Sequence, residues 1–307
     1  MKKTLWITLF AVFGIAANGQ NPTSKVNTTA NTLLWRITGK NLTKPSYLFG
    51  TMHMICATDI ELSDSLKQAI QNADKVYLEL DMDNLFEMMG AMSHMSMRND
   101  TTLSDLLTDT DYKKVKDYFS QHSAMIPFSM LETFKPLLIE SMIMEQSANC
   151  DHVVAMEELI MQEAKKNGKD IKGLETMDFQ LSIFDSIPYK FQAKQLLEMV
   201  ENADSNANDK EMQELTNAYR NQELDKMDDL TKKEDAGIQN FTDLLLYNRN
   251  SNWTKKLATL MANNALVIAV GAGHLPGEKG VINLLRKAGY KVEPVKNEMV
   301  KRKTREI

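Results

Sequence analysis

Two histidines stand in matching contexts near the two ends of this 307-residue chain. His53 closes Gly50-Thr51-Met52-His53, and His274 closes Gly271-Ala272-Gly273-His274. One Gly-x-x-His segment is weak evidence, because glycine commonly opens a turn and a histidine there can simply bond nearby backbone. Two copies in the same context indicate a two-histidine site. Two neutral imidazoles and a carboxylate can ligate Zn, Mn, Co or Fe and leave one position open for water.

Glu79 is the natural carboxylate for such a site. It lies in "KVYLELD", where most of its neighbours are apolar. A divalent ion bound there would lower the pKa of its water and polarise a carbonyl, which is the basis of hydrolysis at neutral pH. The chain has no His-Glu-x-x-His segment, so the zincin class is not indicated. A Glu79 that only caps a helix is the structural alternative.

The elements around His53 follow from its flanking sequence. The segments "TLLWRIT" and "SYLFGTMH" are rich in β-branched and aromatic residues, and the turn-forming "GKNLTKP" between them predicts an N-terminal hairpin. The segment "DIELSDSLKQAIQNADK" has apolar residues at helical spacing and predicts a helix capped by Asp59 or Ser63. "KVYLELD" then predicts a strand.

The elements around His274 repeat that order. "ALVIAV" is a continuous apolar run typical of a strand buried on both faces, a helix follows, and "YKVEPV" predicts another strand. A helix that joins two strands usually makes a right-handed crossover between parallel neighbours. Each histidine is therefore expected at the carboxyl end of a strand, which is the edge of an α/β sheet where ligands bind.

The whole pattern predicts an α/β fold. A central sheet is expected from two similar strand-GxxH-helix-strand halves, at residues 32–82 and 246–296, with a largely helical insertion over 83–245. "KDIKGLE" within that insertion predicts a short strand ending at Glu175. We expect a single domain over 20–307, of which 297–307 form a basic, solvated tail. The net charge of −5 argues against a nucleic-acid partner.

The first residues have the pattern of a targeting signal. "MKKTLWITLFAVFGIAANGQ" has two lysines, an apolar stretch and a small-x-small site, which predicts a signal peptide over 1–19 and export to the periplasm or the exterior. Retention as a signal anchor is the alternative, and no later run is long enough to span a bilayer. In an oxidising compartment Cys56 and Cys150 could form one disulfide, although buried free thiols are equally compatible.

Three further histidines have no partner pattern. His94 lies in the methionine-rich "EMMGAMSHMSMRND", which could supply thioether ligands, a lid or a face for an apolar substrate, but is more typical of adaptable packing surface. We expect His122 and His152 to be surface or capping residues.

Glycines accompany both histidine segments. We expect Gly50, Gly271 and Gly273 to allow tight turns, and Gly277 and Gly280 to allow close helix packing.

Taken in order, several blocks resemble the TraB/GumN family, which includes the Tiki proteins. The resemblance spans about residues 32 to 296 and is carried by "LLWRITG", "KPSYLFGTMH", "VYLELD", "GLETMDFQLSIFDSIP", "LLYNRNSNW" and "VIAVGAGHLPGEKGVINLLRKAGYKVEPV". It implies an α/β core with helical additions, related to the fold of erythromycin esterase and the ChaN proteins.

The resemblance also implies an activity. Tiki-like members are metal-dependent proteases that use Mn or Co and cut peptides near the amino end. By position, His53, His274 and Glu79 would hold the metal or lie beside it. Glu175 would serve as general base, and Arg249 would stabilise an oxyanion or hold a substrate carboxylate. The structural alternative is a buried ion pair between Arg249 and Glu175.

A second function comes from the same resemblance. Other relatives restrain peptide pheromones, so the chain could be a non-catalytic protein that binds and sequesters peptides. An esterase or haem-handling role by fold analogy is weaker, because a fold alone does not assign chemistry.

Overall fold

The computed structural model describes residues 31–40, 42–58, 60–122, 126–146, 150, 152–203, 206–232 and 238–299. The predicted signal peptide (1–19), the candidate cap Asp59 and residues 300–307 of the predicted tail lie outside these ranges. Among the helices within them, none has the length and apolar character needed to cross a bilayer.

Strands and helices alternate along most of the described chain. The strands are β1 (Leu34–Thr38), β2 (Ser46–Thr51), β3 (Ile55–Cys56), β4 (Lys75–Leu80), β5 (Val153–Val154), β6 (Asp170–Glu175), β7 (Leu266–Gly271) and β8 (Lys291–Pro294). The α-helices are α1 (Asp64–Asn72), α2 (Leu85–Ala91), α3 (Leu103–Leu106), α4 (Asp109–Gln121), α5 (Phe128–Leu131), α6 (Pro136–Gln146), α7 (Met156–Lys166), α8 (Met177–Phe184), α9 (Tyr189–Glu201), α10 (Asn206–Arg220), α11 (Leu224–Thr231), α12 (Asn248–Leu260) and α13 (Val281–Lys287). Short 3-10 helices cover Met92–His94, Ile238–Phe241 and Ala272–His274, and a π-helix covers Asp243–Tyr247.

The described residues divide into two compact units. We call the residues within 84–149 and 176–212 the helical unit, and those within 31–83, 150–175 and 213–299 the sheet unit. The predicted helical insertion, 83–245, is therefore shared between the two, since its strand β6 and helix α7 belong to the sheet unit.

The sheet unit contains a mixed six-stranded sheet in the order β6-β4-β7-β2-β1-β8. The predicted hairpin of β1 and β2 is confirmed, with Trp35 opposite Leu48, and β1 also pairs antiparallel with β8. Strands β2 and β4 each pair in parallel with β7, and β4 pairs in parallel with β6.

Strands joined by a helix run parallel, as expected, but the expectation that they are neighbours in the sheet is wrong. Helix α1 leads from β2 to β4, but β7 from the far end of the chain lies between these two strands. Helix α13 leads from β7 to β8, which pairs with β1 at the edge. All six residues of β7 are buried, as expected for a central strand covered on both faces, so the most apolar strand takes the middle of the sheet.

Helix α1 illustrates how the sequence builds the layer over the sheet. Ser63 caps it, because its Oγ accepts a hydrogen bond from the backbone N–H of Leu66 at 3.1 Å. Leu66, Ala69 and Ile70 form its buried face. Burial of an aliphatic side chain as large as leucine stabilises the fold by about 1.5–3 kcal/mol, which holds the helix in place.

A second, two-stranded sheet joins distant segments of the sheet unit. Strand β3 pairs antiparallel with β5 through Ile55 opposite Val154 and Cys56 opposite Val153. A disulfide between Cys56 and Cys150 lies beside it. We call β3, β5 and this disulfide the ribbon. Two-residue strands have no periodic pattern, so the sequence did not predict them.

The helical unit buries part of the methionine-rich segment and exposes the rest. Met95 and Met97 are buried, whereas Met89 and Met92 are more than half exposed, so only two of the five methionines in this segment are fully packed in the interior. His94 is exposed, and its Nδ1 lies 3.5 Å from Asp178 Oδ1. His122, also in this unit, is exposed as expected.

Candidate functional site

The candidate site lies at the carboxyl edge of the three central strands of the sheet unit. His53 follows β2 by two residues, Glu79 is the fifth residue of β4, and His274 ends the 3-10 turn that follows β7. The parallel register sets Thr51 opposite Gly271. The predicted placement of both histidines at one sheet edge is therefore observed.

Glu79 is held by the backbone of β7. Its Oε1 accepts a hydrogen bond from the N–H of Gly271 at 2.7 Å, and its side chain is only 9% exposed. Burial alone would raise the pKa of this carboxyl group. The positive charge of Arg249, helped by His53 and by the hydrogen bond from the Gly271 N–H, outweighs burial and holds the pKa well below its usual range. Glu79 is thus a buried, ionised carboxylate and not a helix cap.

Arg249 connects two carboxylates beneath the sheet edge. From α12, its Nη2 donates to Glu79 Oε2 at 2.6 Å and its Nε donates to Glu175 Oε2 at 2.9 Å. Its Nη1 donates, at 3.0 Å, to the carbonyl of Leu245, a residue of the π-helix. The buried Arg249–Glu175 pair expected as the structural alternative is therefore present, and it extends to Glu79.

His274 is held as a neutral imidazole. Its Nδ1 lies 2.6 Å from Asn250 Oδ1, an oxygen that can only accept, so the ring proton is on Nδ1. Its Nε2 lies 3.2 Å from Arg249 Nη1 and 3.7 Å from Glu79 Oε1. Burial lowers the pKa of His274 to about 3 despite the nearby Glu79 carboxylate. The lone pair of Nε2 is therefore directed towards Arg249 and Glu79.

His53 has the opposite electrostatic environment. Its Nδ1 lies 2.9 Å from Oε1 of Glu157, a residue in the first turn of α7 that is only 4% exposed. Burial would lower the pKa of His53, but the Glu157 carboxylate outweighs burial and raises it to about 9. His53 in turn lowers the pKa of Glu157 against the effect of burial. The two side chains form a charged pair inside the protein.

Gly271 leaves the space around which these groups converge. A Cβ at this position would lie 3.3 Å from Glu79 Oε1, 3.6 Å from His274 Cδ2 and 3.9 Å from His53 Nε2. At Gly50 a Cβ would lie 3.1 Å from the backbone of Ala272, so glycine there lets the turn after β7 pack closely on β2. Both glycines provide space, whereas a tight turn was expected.

The other three glycines differ in what they do. Gly273 lies in the 3-10 turn, as expected. The expectation of close helix packing is wrong for Gly277, which has φ +81° and nothing closer than 3.9 Å to an added Cβ, so backbone conformation requires it. At Gly280 an added Cβ would lie 1.9 Å from the carbonyl oxygen of Pro276, so this glycine lets α13 begin directly against the preceding turn.

The donor types at this edge suit a divalent cation. Each imidazole uses Nδ1 for a side-chain partner, which is how metal-binding histidines are usually oriented. His53 Nε2 faces the space at Gly271, and His274 Nε2 lies 3.7 Å from Glu79 Oε1. In the arrangement described, however, no three His, Cys, Asp or Glu residues among the described ranges are spaced to hold an ion. Instead, the Arg249 guanidinium supplies the positive charge between the Glu79 and Glu175 carboxylates, and it also contacts His274 Nε2.

Two positioning groups at the site escaped prediction from the sequence. Glu157 and Glu158 are adjacent acidic residues at the start of a helix, and nothing in the sequence indicates which of the two is buried. Asn250 directly follows Arg249 in the "LLYNRNSNW" block, and this adjacency was the only available signal.

Comparison with known proteins yields a family and a set of distant relatives. A sequence model of the TraB/PrgY/gumN family matches residues 33–294. The chain is 23% identical to "Metalloprotease TIKI2" of Danio rerio, with 86% of this chain and 61% of that protein covered. It is 23% identical to "Metalloprotease TIKI homolog" of Nematostella vectensis, with coverage of 96% and 76%. It is 22% identical to "Metalloprotease TIKI1" of Homo sapiens, with coverage of 86% and 62%.

The matches differ in how much of each protein they cover. The chain spans less than two thirds of the Danio rerio TIKI2 protein, and no solved structure matches it. The family model, by contrast, covers both histidine segments, the Glu79 strand and the Arg249 helix. The chain belongs to the TraB/PrgY/gumN family.

Proposed function

We propose that this chain is a metal-dependent hydrolase that acts on peptides or proteins, with its active site at the carboxyl edge of β2, β4 and β7. One observation carries the proposal: His53 Nε2, the His274 ring and Glu79 Oε1 all lie within 3.9 Å of the position that a Cβ on Gly271 would occupy. The similar proteins from Danio rerio and Nematostella vectensis are named metalloproteases, which supports the same reaction class.

The metal would be held by Nε2 of His53, Nε2 of His274 and the Glu79 carboxylate. Mn or Co is favoured through the family resemblance, and Zn or Fe suits the same nitrogen and oxygen donors. Such an ion supplies a nucleophilic water at neutral pH and polarises the carbonyl under attack. Glu157 and Asn250 orient the two rings through their Nδ1 atoms.

Glu175 is proposed as the general base. Its carboxylate is fixed by Arg249, which also holds Glu79, and its side chain is 6% exposed, so it lies close to the proposed ligands and away from solvent. Arg249 is proposed to hold Glu175 and Glu79 in place. Turning it towards substrate would leave two buried carboxylates without their cation, at a cost of about 3–5 kcal/mol. The same cost opposes a direct role for Arg249 at a developing oxyanion.

The second candidate is a peptide-binding protein that does not cut. It is favoured by the contact of Arg249 Nη1 with His274 Nε2 at 3.2 Å, which engages the lone pair that a metal would need. For either function we propose export to the periplasm or the exterior, on the basis of the signal-like residues 1–19.

Metal analysis and peptide cleavage test the proposal together. We expect purified protein to bind about one Mn or Co per chain and to shorten test peptides. His53→Ala and His274→Ala should each lose both properties, because each removes a ligand, and His122→Ala, an exposed histidine of the helical unit, should keep both. Stoichiometric metal in both site variants would refute the site, and bound but uncut peptides would favour sequestration.

A further inference from the structure

A buried carboxylate outside the proposed ligand set contacts one of the two histidines. Glu157 Oε1 lies 2.9 Å from His53 Nδ1, and the Glu157 side chain is 5% exposed. A buried charge is costly unless it is paired. The partner that compensates Glu157 in the sheet unit is His53, and the position of each side chain therefore depends on the other.

The contact determines which ring nitrogen of His53 is available. Because Nδ1 faces Glu157, Nε2 is turned towards the space at Gly271, 3.9 Å from the position of an added Cβ. His53 lies on the loop after β2 and its side chain is 19% exposed, so packing restrains it less than it restrains His274, which is 4% exposed. A hydrogen-bonding partner on the distal nitrogen is the usual means of fixing such a ring.

A set of backbone contacts brings Glu157 to His53. The N–H of Met156 donates to the carbonyl of Met52 at 3.1 Å, so the residues next to the pair are themselves joined. The ribbon continues the connection through Ile55 opposite Val154, and the Cys56–Cys150 disulfide closes its end. Segments 52–57 and 152–157 are thus held side by side although the two cysteines are 94 positions apart in the chain.

We propose that Glu157 is a positioning residue that orients His53 for metal binding, and that the disulfide-closed ribbon holds Glu157 in register with it. The proposal rests on the proposed function, since the ring is oriented for a ligand role. Glu157 itself does not touch metal or substrate. Its counterpart at His274 is Asn250, so one imidazole is held by an anion and the other by a neutral amide.

Cobalt binding by the full chain tests this role. Co²⁺ would be titrated into the wild-type protein, Glu157→Ala, Glu157→Gln and the matched control Glu158→Gln, with affinity and the visible absorption spectrum recorded. We expect Glu157→Ala to weaken Co²⁺ binding by about 10- to 100-fold and to alter the spectrum, because a lost partner on the distal nitrogen has that effect in metal sites. Glu157→Gln should recover part of the loss, since it keeps a polar oxygen beside Nδ1 without the charge of the ion pair, and Glu158→Gln should match the wild type.

A second readout does not need the metal. The imidazole NMR signal of His53, assigned with His53→Gln, should be single and sharp in metal-free wild type and in Glu158→Gln. In Glu157→Ala it should be shifted or broadened, while circular dichroism shows that the variant is folded. An unchanged signal together with unchanged Co²⁺ affinity would overturn the proposal. If wild type binds no Co²⁺ at all, the proposed metal function fails, and the NMR signal alone decides whether Glu157 orients the ring.

The ribbon is tested separately with the double variant Cys56→Ser/Cys150→Ser. We expect its Co²⁺ affinity to fall several-fold, by less than in Glu157→Ala, with the same direction of change in the His53 signal. Wild-type affinity and signal in the folded double variant would overturn the role of the ribbon and leave that of Glu157 standing. Tight Co²⁺ binding without peptide cleavage would count against hydrolysis and not against either positioning role.

Discussion

His53 and His274 have the same sequence context and opposite environments. The Glu157 carboxylate raises the pKa of His53 to about 9, whereas burial lowers the pKa of His274 to about 3. Between these values the folded protein holds one charged and one neutral imidazole. The Gly-x-x-His segments predicted that the two residues would meet, but their difference depends on helix residues distant in the chain.

The raised pKa of His53 and the lowered pKa of His274 predict opposite effects of pH on the stability of chelator-treated protein. An unfolded histidine titrates near pH 6.5. Folded His53 holds more protons than the unfolded chain between about 6.5 and 9, so its stabilisation is lost as pH rises through that range. Folded His274 holds fewer protons between about 3 and 6.5, so its contribution is lost as pH falls.

Urea unfolding at pH values of about 5, 6.5 and 8.5 measures this effect. We expect the highest free energy of unfolding near pH 6.5. The loss above it should reach on the order of 3 kcal/mol once pH passes 9, at about 1.4 kcal/mol per pKa unit. His53→Gln should flatten the alkaline side and His274→Gln the acidic side. Stability that rises steadily from pH 6.5 to 9 would contradict the charged His53–Glu157 pair.

Arg249 gives a prediction about buried charge. Arg249→Ala leaves Glu79 and Glu175 buried without their common cation, and we expect the free energy of unfolding to fall by about 3–5 kcal/mol. Arg36→Ala, which removes an exposed pair with Glu293, is the matched control and should change stability by about 0.5 kcal/mol or less. Equal urea midpoints for the two variants would show that Arg249 does not neutralise the two carboxylates.

At the scale of elements, the sequence predicted which segments form strands and helices better than it predicted which strands lie next to one another. The hairpin, the "KVYLELD" strand, the buried "ALVIAV" strand and the strand ending at Glu175 are all present, because each has a strong local pattern. The order of strands was not predictable in the same way, since an apolar run indicates burial but not which strands lie on either side. The ribbon was missed because its strands have two residues each.

Strand β7 gives the prediction at this scale. In Gly271→Ala the new Cβ would lie 3.3 Å from Glu79 Oε1 and 3.6 Å from His274 Cδ2, so these groups must move by a few tenths of an ångström. We expect a loss of Co²⁺ affinity with only a small loss of stability. Gly90→Ala in α2 is the control: an added Cβ meets nothing within 4 Å there, and stability should rise by about 0.5 kcal/mol. Full Co²⁺ affinity in Gly271→Ala would argue against the site at this strand end.

At the scale of the molecule, the disulfide closes a long loop. Its cysteines are 94 residues apart, and the loop contains β4 and much of the helical unit. Cross-linking of a loop this long restricts the unfolded chain and is worth about 2–5 kcal/mol. Signal-like residues and paired cysteines agree with each other, because disulfides persist in oxidising compartments.

Unfolding with and without reductant measures that contribution. We expect reduction of wild-type protein to lower the free energy of unfolding by about 2–5 kcal/mol. The double variant Cys56→Ser/Cys150→Ser should start at the lower value and show no response to reductant. Unchanged stability after complete reduction, verified by thiol counting, would show that the cross-link does not restrict the unfolded chain.

The central position of β7 has a consequence for how the chain acquires its structure. Residues 266–271 lie between β2 and β4, which are synthesised about 200 residues earlier. Until β7 arrives, both earlier strands have an unpaired edge, and such edges recruit other chains into aggregates. A product truncated before residue 266 would therefore lack both a second histidine and the strand that seals its sheet, and it should accumulate as insoluble material.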